Sequence, residues 1–140
     1  MAKKKKKVDS SDGSTATIHF EPPVHDMVRI PKRKAKVELR ITVGRKGQSG
    51  RTEVYLGGSP LGNFPDSFTA PLGTGREVDG LLLHTHTLIS DLDTSHNDVS
   101  WKIEILADGS VVYFQDRARS LPTHGDAVVY QAFLTFLTEV

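Results

Sequence analysis

Residues 36–43 alternate without a fault. Val37, Leu39, Ile41 and Val43 fall on one face of an extended chain, and Lys36, Glu38, Arg40 and Thr42 fall on the other. This period requires a strand with one face on a core and one in water. A second constraint lies downstream. Asp108-Gly109 separates residues 101–106 from 111–115, and this dipeptide between apolar runs signals a two-residue type I′ hairpin. With that turn Ile105 pairs with Val112 and Ile103 with Phe114, and Trp101 shares their face. Turn chemistry and apolar pattern therefore agree. The chain reads as mainly β: an antiparallel sheet or small β-sandwich built from hairpins.

Residues 127–140 leave one choice open. As a helix, Asp126 is the N-cap, and Val129, Ala132, Phe133, Phe136, Leu137 and Val140 form a single stripe. As a strand, the segment is long and alternates poorly. The stripe tips the reading slightly towards a C-terminal helix.

A length of 140 residues suits one domain. Residues 1–17 are lysines followed by Ser, Asp, Gly and Thr, too polar to repay their ordering entropy, so a disordered basic tail is expected. Residues 18–140 form the single mainly β domain. Pro22-Pro23 and Pro31 limit residues 18–31 to an edge strand or lead-in, with His19 and His25 as packing or surface histidines. Residues 44–50 read as the tip of a hairpin joining 36–43 to 52–56. Residues 57–75, rich in Gly and Pro, read as irregular. Residues 80–91 read as a central strand covered on both faces. There is no cysteine, hence no disulfide framework. No apolar run approaches the roughly 20 residues of a membrane span, and no apolar stretch follows the lysines as in a signal peptide. A soluble cytoplasmic protein with no membrane partner is expected.

Three groups of residues could carry function. His84 and His86 lie at i and i+2, so on a strand they point the same way and can approach one divalent metal, with Asp91, Asp93 or His96 completing the set. Lys3, Lys4, Lys5, Lys6 and Lys7, with Lys32, Arg33 and Lys34, could contact nucleic acid or another anion. Asn63, Phe64, Asp66 and Phe68 could form a partner-binding loop.

The string from His84 to Asp91, with His86 and Ser90 between, resembles the opening HxHxxxSD motif of the polymerase-and-histidinol-phosphatase family of metal-dependent phosphoesterases. That resemblance implies a divalent metal at the end of a first barrel strand. It covers about eight residues. Leu82 stands where the family carries an acidic residue, and only fifty-four residues follow His86, against roughly 250 for a whole (β/α) barrel.

The leading functional reading is a non-enzymatic binding or assembly module. It would meet a protein partner, or a second copy of itself, through sheet edges and Gly/Pro-rich loops. A nucleic-acid-associated structural protein with a basic N-terminal arm is the first alternative. A small metal-dependent hydrolase using His84 and His86 is the second. No cofactor is expected under the leading reading; a divalent metal belongs only to the last.

Overall fold

The computed structural model describes residues 7–9, 15–44, 48–91, 98–121 and 125–139. In chain order the elements are β1 (Lys7–Asp9), β2 (Thr15–Phe20), β3 (Val24–Ile30), β4 (Lys36–Val43), β5 (Gln48–Leu56), β6 (Ser59–Pro65), β7 (Phe68–Thr74), α1 (Gly75–Val78), β8 (Leu82–Asp91), β9 (Asp98–Ala107), β10 (Ser110–Ser120) and β11 (Ala127–Thr138). Strand thus begins within the segment read as a tail. Among the described residues no helix is long and apolar enough to cross a membrane.

The strands form two sheets. One runs β1-β2-β11-β8-β5-β6, with β3 also on β11; the other runs β10-β9-β4-β7. Their inner faces share one core, in which Leu39, Ile41, Ile103 and Ile105 of the four-stranded sheet meet Val54, Leu83, Leu134 and Phe136 of the seven-stranded sheet. The expected β-sandwich is what the chain forms. The alternation of residues 36–43 holds, with Val37, Leu39 and Ile41 all fully buried.

The C-terminal segment is strand, which corrects the helical reading. β11 pairs antiparallel with β8 on one side. On the other side it pairs in parallel with β2 and then β3, which Pro22-Pro23 separates. Val128, Tyr130, Ala132, Leu134 and Phe136 are buried, while Gln131, Phe133 and Leu137 alternate outwards. Ladder bonds on both sides outweigh a helical stripe that no neighbour would have used.

Two further expectations change. Residues 36–43 and 48–56 do not form a hairpin: β4 pairs with β7 and β9, and β5 pairs with β6 and β8, so the chain crosses between sheets. Residues 57–75 are not irregular. Gly57 and Gly58, at φ 59° and 84°, turn β5 into β6, a two-glycine hairpin. The short helix α1 then opens on a capping box between Thr74 and Glu77.

The β9–β10 hairpin forms as expected, with Asp108 and Gly109 at φ 49° and 80°. Its register does not continue. A bulge between Val111 and Tyr113 places Tyr113 opposite Ile105 and Gln115 opposite Ile103. One extra residue reverses every later side chain. Phe114 therefore faces out, 57% exposed, with the Lys102 ammonium 5.6 Å from its ring centre. Beside it, Glu104 takes a two-pronged hydrogen bond from Arg40, at 2.8 and 3.1 Å, which holds its carboxyl below the usual range.

Candidate functional site

The stretch containing His84 and His86 lies at the centre of the seven-stranded sheet, but it is covered on one face only. Leu83, Thr85, Thr87 and Ile89 face the core and are fully buried, whereas Leu82 is 44% exposed. His84 and His86 share that outer face, as their spacing requires.

Strand register builds the site. Phe133 lies opposite His25 on one side and His84 on the other, and His84 lies opposite Tyr55. The four rings form a row across β3, β11, β8 and β5. Ring centres are 4.9 Å apart for His25–Phe133, 4.3 Å for Phe133–His84 and 5.8 Å for His84–Tyr55, with planes within 7°, 7° and 21° of parallel. These separations match the spacing of neighbouring strands. The rings therefore stand upright on the sheet, faces against one another and edges outward. A sugar or base that stacks needs a free ring face, and those between the rings of this row are taken.

The neighbouring row is polar: Gln131, His86, Glu53 and Asn63 lie at successive register positions. His84 Nε2 lies 3.2 Å from Gln131 Oε1. Glu53, Tyr55, Leu82, His84, His86 and Phe133 line a shallow depression of about 410 Å³. Met27 at 59%, Leu82 at 44% and Leu137 at 36% exposure add apolar surface to this face.

The metal set does not assemble among the described residues, where no group of three or more His, Cys, Asp or Glu is placed to hold an ion. His84 is held between two rings and on Gln131. Asp91 follows His86 by five residues on one strand, a backbone rise of about 16 Å. Asp93 and His96 lie outside the described residues. The fold is a sandwich, so the barrel implied by the phosphoesterase resemblance is absent.

The other candidates are scattered. Phe64 and Phe68 stack at 4.4 Å and pack on the core between the sheets. Asp66, at φ 52°, accepts from Gly50 N at 3.0 Å and donates its own N–H to Gly50 O at 2.8 Å. These three residues build the fold; Asn63 is exposed on the outer face, with no side-chain bond among the described residues. Lys32, Arg33 and Lys34 lie in an exposed turn after β3. Lys3, Lys4, Lys5 and Lys6 lie outside the described residues, and Lys7 belongs to β1.

One polar cluster has no counterpart in the sequence reading. His19, on β2, is 8% exposed, and Asp126 only 1%. His19 Nε2 lies 2.9 Å from Asp126 Oδ2, and Thr17 N donates to Asp126 Oδ1 at 2.9 Å. Arg119 bridges His19 Nδ1 and the Glu21 carboxylate. The guanidinium makes Nδ1 an acceptor, so Nε2 carries the hydrogen given to Asp126. His19 and Asp126 stand 107 residues apart, and no local pattern links them.

Deeper in, the Tyr130 hydroxyl is buried with no hydrogen-bond partner among the described residues. Burial, reinforced by the Glu21 charge, pushes this phenol up to about 12. Its folded value exceeds the ordinary 10, so its contribution to stability is complete below pH 10 and is lost as pH rises towards about 12. Tyr130→Phe removes an unsatisfied hydroxyl, so it is expected to leave stability unchanged or raise it by about 1 kcal/mol. The loss of stability above pH 10 should also become shallower. Tyr113, likewise raised to about 12, keeps part of that loss. Urea titrations at neutral and alkaline pH check both points; a clear loss at neutral pH would show that the hydroxyl has a partner.

No family model, curated protein or solved structure matches this chain.

Proposed function

We propose that this protein is a non-enzymatic assembly module that self-associates through the outer face of its seven-stranded sheet. The observation carrying the reading is the upright row His25–Phe133–His84–Tyr55 with exposed Met27, Leu82 and Leu137 around it. Such a face offers apolar edges at its centre, with Arg29, Arg51 and Glu53 of both signs around them, which suits a similar surface. A second copy supplies one, and a two-fold pairing makes the patch its own complement.

The edges are less suited. β6 carries Pro60 and Pro65, and β7 carries Pro71, which blunt them for strand addition. On another side Tyr113 OH, from edge strand β10, donates to Asp26 on β3 at 2.8 Å. The face has the required size. Five strands by about eight residues give on the order of 650 Å² per copy, near the roughly 800 Å² per partner of a standard interface.

Sedimentation velocity across the micromolar range is the test. The wild type should pass from monomer to dimer. Met27→Glu with Leu82→Arg, both at exposed positions, should weaken the dimer at least about 30-fold, or ~2 kcal/mol. A wild-type monomer at every concentration would overturn the reading, as would a dimer indifferent to these changes.

A further inference from the structure

We propose a second site: a rigid basic corner, formed by Lys32, Arg33, Lys34 and Arg76, that binds the phosphate backbone of a nucleic acid. It does not depend on the outer-face reading. Sequence alone offered Lys32, Arg33 and Lys34 as a run; the fold adds Arg76, which lies 42 or more residues away in the chain.

The corner is built by backbone contacts. Arg76 N donates to Arg33 O at 2.9 Å, Gly75 N to Ala35 O at 2.9 Å, and Ala35 N to Lys32 O at 3.2 Å. Ala35 and Val78 are buried beneath, at 1% and 0% exposure. The turn is thus clamped to α1, and its charged side chains project from a fixed frame. The contact is close enough to require glycine. A Cβ on Gly75 would lie 2.2 Å from Lys32 O.

Three acids lie near the corner, and two of them are held by backbone amides. Glu77 accepts from Thr74 N at 2.9 Å, and Asp79 accepts from Thr138 N at 2.8 Å. Glu139 donates its backbone N–H to Ile30 O at 2.9 Å, which fixes its backbone beside the corner and not its carboxylate. Among the described residues, none of the four corner cations makes a side-chain hydrogen bond or ion pair, and all four are exposed. Four exposed cations against these three carboxylates leave the frame net positive, with the guanidinium and ammonium groups open to an outside polyanion. A bilayer surface fits less well, because the apolar residues of the turn and helix, Ala35 and Val78, are buried and leave no wedge for lipid.

The corner is also separate from Lys7, the one described residue of the lysine run. Lys7 pairs with Thr17, beside the strand that meets Ala127, whereas Ile30, just before the corner, pairs with Thr138. The two lie near opposite ends of β11, about 36 Å apart along the strand.

The test is binding of the full-length protein to a labelled duplex oligonucleotide as salt rises. Four phosphate contacts give a log–log slope of about −3.6 from the corner alone, roughly a 100-fold loss between about 50 and 200 mM salt. The variant Lys32→Gln/Arg33→Gln/Lys34→Gln/Arg76→Gln should lose that slope and bind at least about tenfold more weakly at low salt. Changing Lys3 to Lys7 to Gln should leave the corner's share intact. Gly75→Ala keeps all four charges but displaces the turn. If it folds, as judged by circular dichroism, weaker binding supports the built corner and unchanged binding overturns it. The four-fold variant alters only exposed side chains, so it tests the corner even where Gly75→Ala fails to fold. Wild-type-like binding by the four-fold variant overturns the proposal. So does no binding by the wild type, or binding to anionic phospholipid vesicles but not to the oligonucleotide.

Discussion

Replacing Trp101 with Ala is expected to cost the fold about 3–5 kcal/mol, the range for deleting a buried indole. Trp101 is 1% exposed and belongs to β9, yet most of its specific contacts cross to the other sheet. Its ring lies on Tyr130 of β11 with centres 5.1 Å apart and planes within 2°. Its Nε1–H donates to Thr87 Oγ1 of β8 at 3.2 Å. That hydroxyl is in turn 2.9 Å from Thr52 Oγ1 of β5. One side chain thus ties the four-stranded sheet to three strands of the seven-stranded one. Against a total of about 5–15 kcal/mol for a domain, the variant should sit near the edge of folding. Urea denaturation measures this. Trp101→Phe keeps a ring on Tyr130 and loses the donor, so it should cost clearly less. A loss below about 1 kcal/mol for Trp101→Ala would mean that the sheets are held together elsewhere.

Asp126→Ala is expected to cost about 2–3 kcal/mol, because it leaves the His19 Nε2–H and the Thr17 N–H without their shared carboxylate acceptor. The loss should be uneven. β2 reaches β11 through only three register pairs, at Ile18, His19 and Phe20. Phe20 is 50% exposed, and His19 is the buried side chain of that group. β2 is therefore fastened chiefly by polar contacts converging on Asp126. Hydrogen exchange at Thr17 to Phe20 should accelerate more than in the core strands β8 and β9. Asp126→Asn, which keeps an oxygen acceptor, should fall between the two. Equal acceleration throughout the sandwich would show that β2 is not an independent unit.

What the sequence made legible was local. The period of residues 36–43 and the Asp108-Gly109 turn each specify an element without help from distant chain, and both formed. The bulge after Val111 was not legible, because valines in series fit either register. β11 misled for a related reason. Phe133 and Leu137 suit a helical stripe, and only the presence of strands on both sides turns them to the outer face. Gly57-Gly58 was a turn signal that the surrounding prolines obscured. Among site residues, the shared face of His84 and His86 followed from strand geometry. Their neighbours Phe133, His25 and Tyr55 come from three other strands, and register alone brings them together. The His19–Asp126 contact depends in the same way on parallel pairing between the two ends of the described chain.

That parallel pairing has a consequence in time. β2 and β3 lie on β11, with Ile18 opposite Ala127 and Ile30 opposite Thr138, so each contact closes a loop of more than one hundred residues. Closing such loops precedes any gain from them, and chains dominated by distant pairings fold slowly. During synthesis β8 would emerge well before β11, the strand that covers its second edge. Until residues 127–138 are available, β2 has only the short β1 to pair with, β3 has no ladder to join and β8 keeps an open side. This window is when a nascent chain is most exposed to pairing with the wrong neighbour.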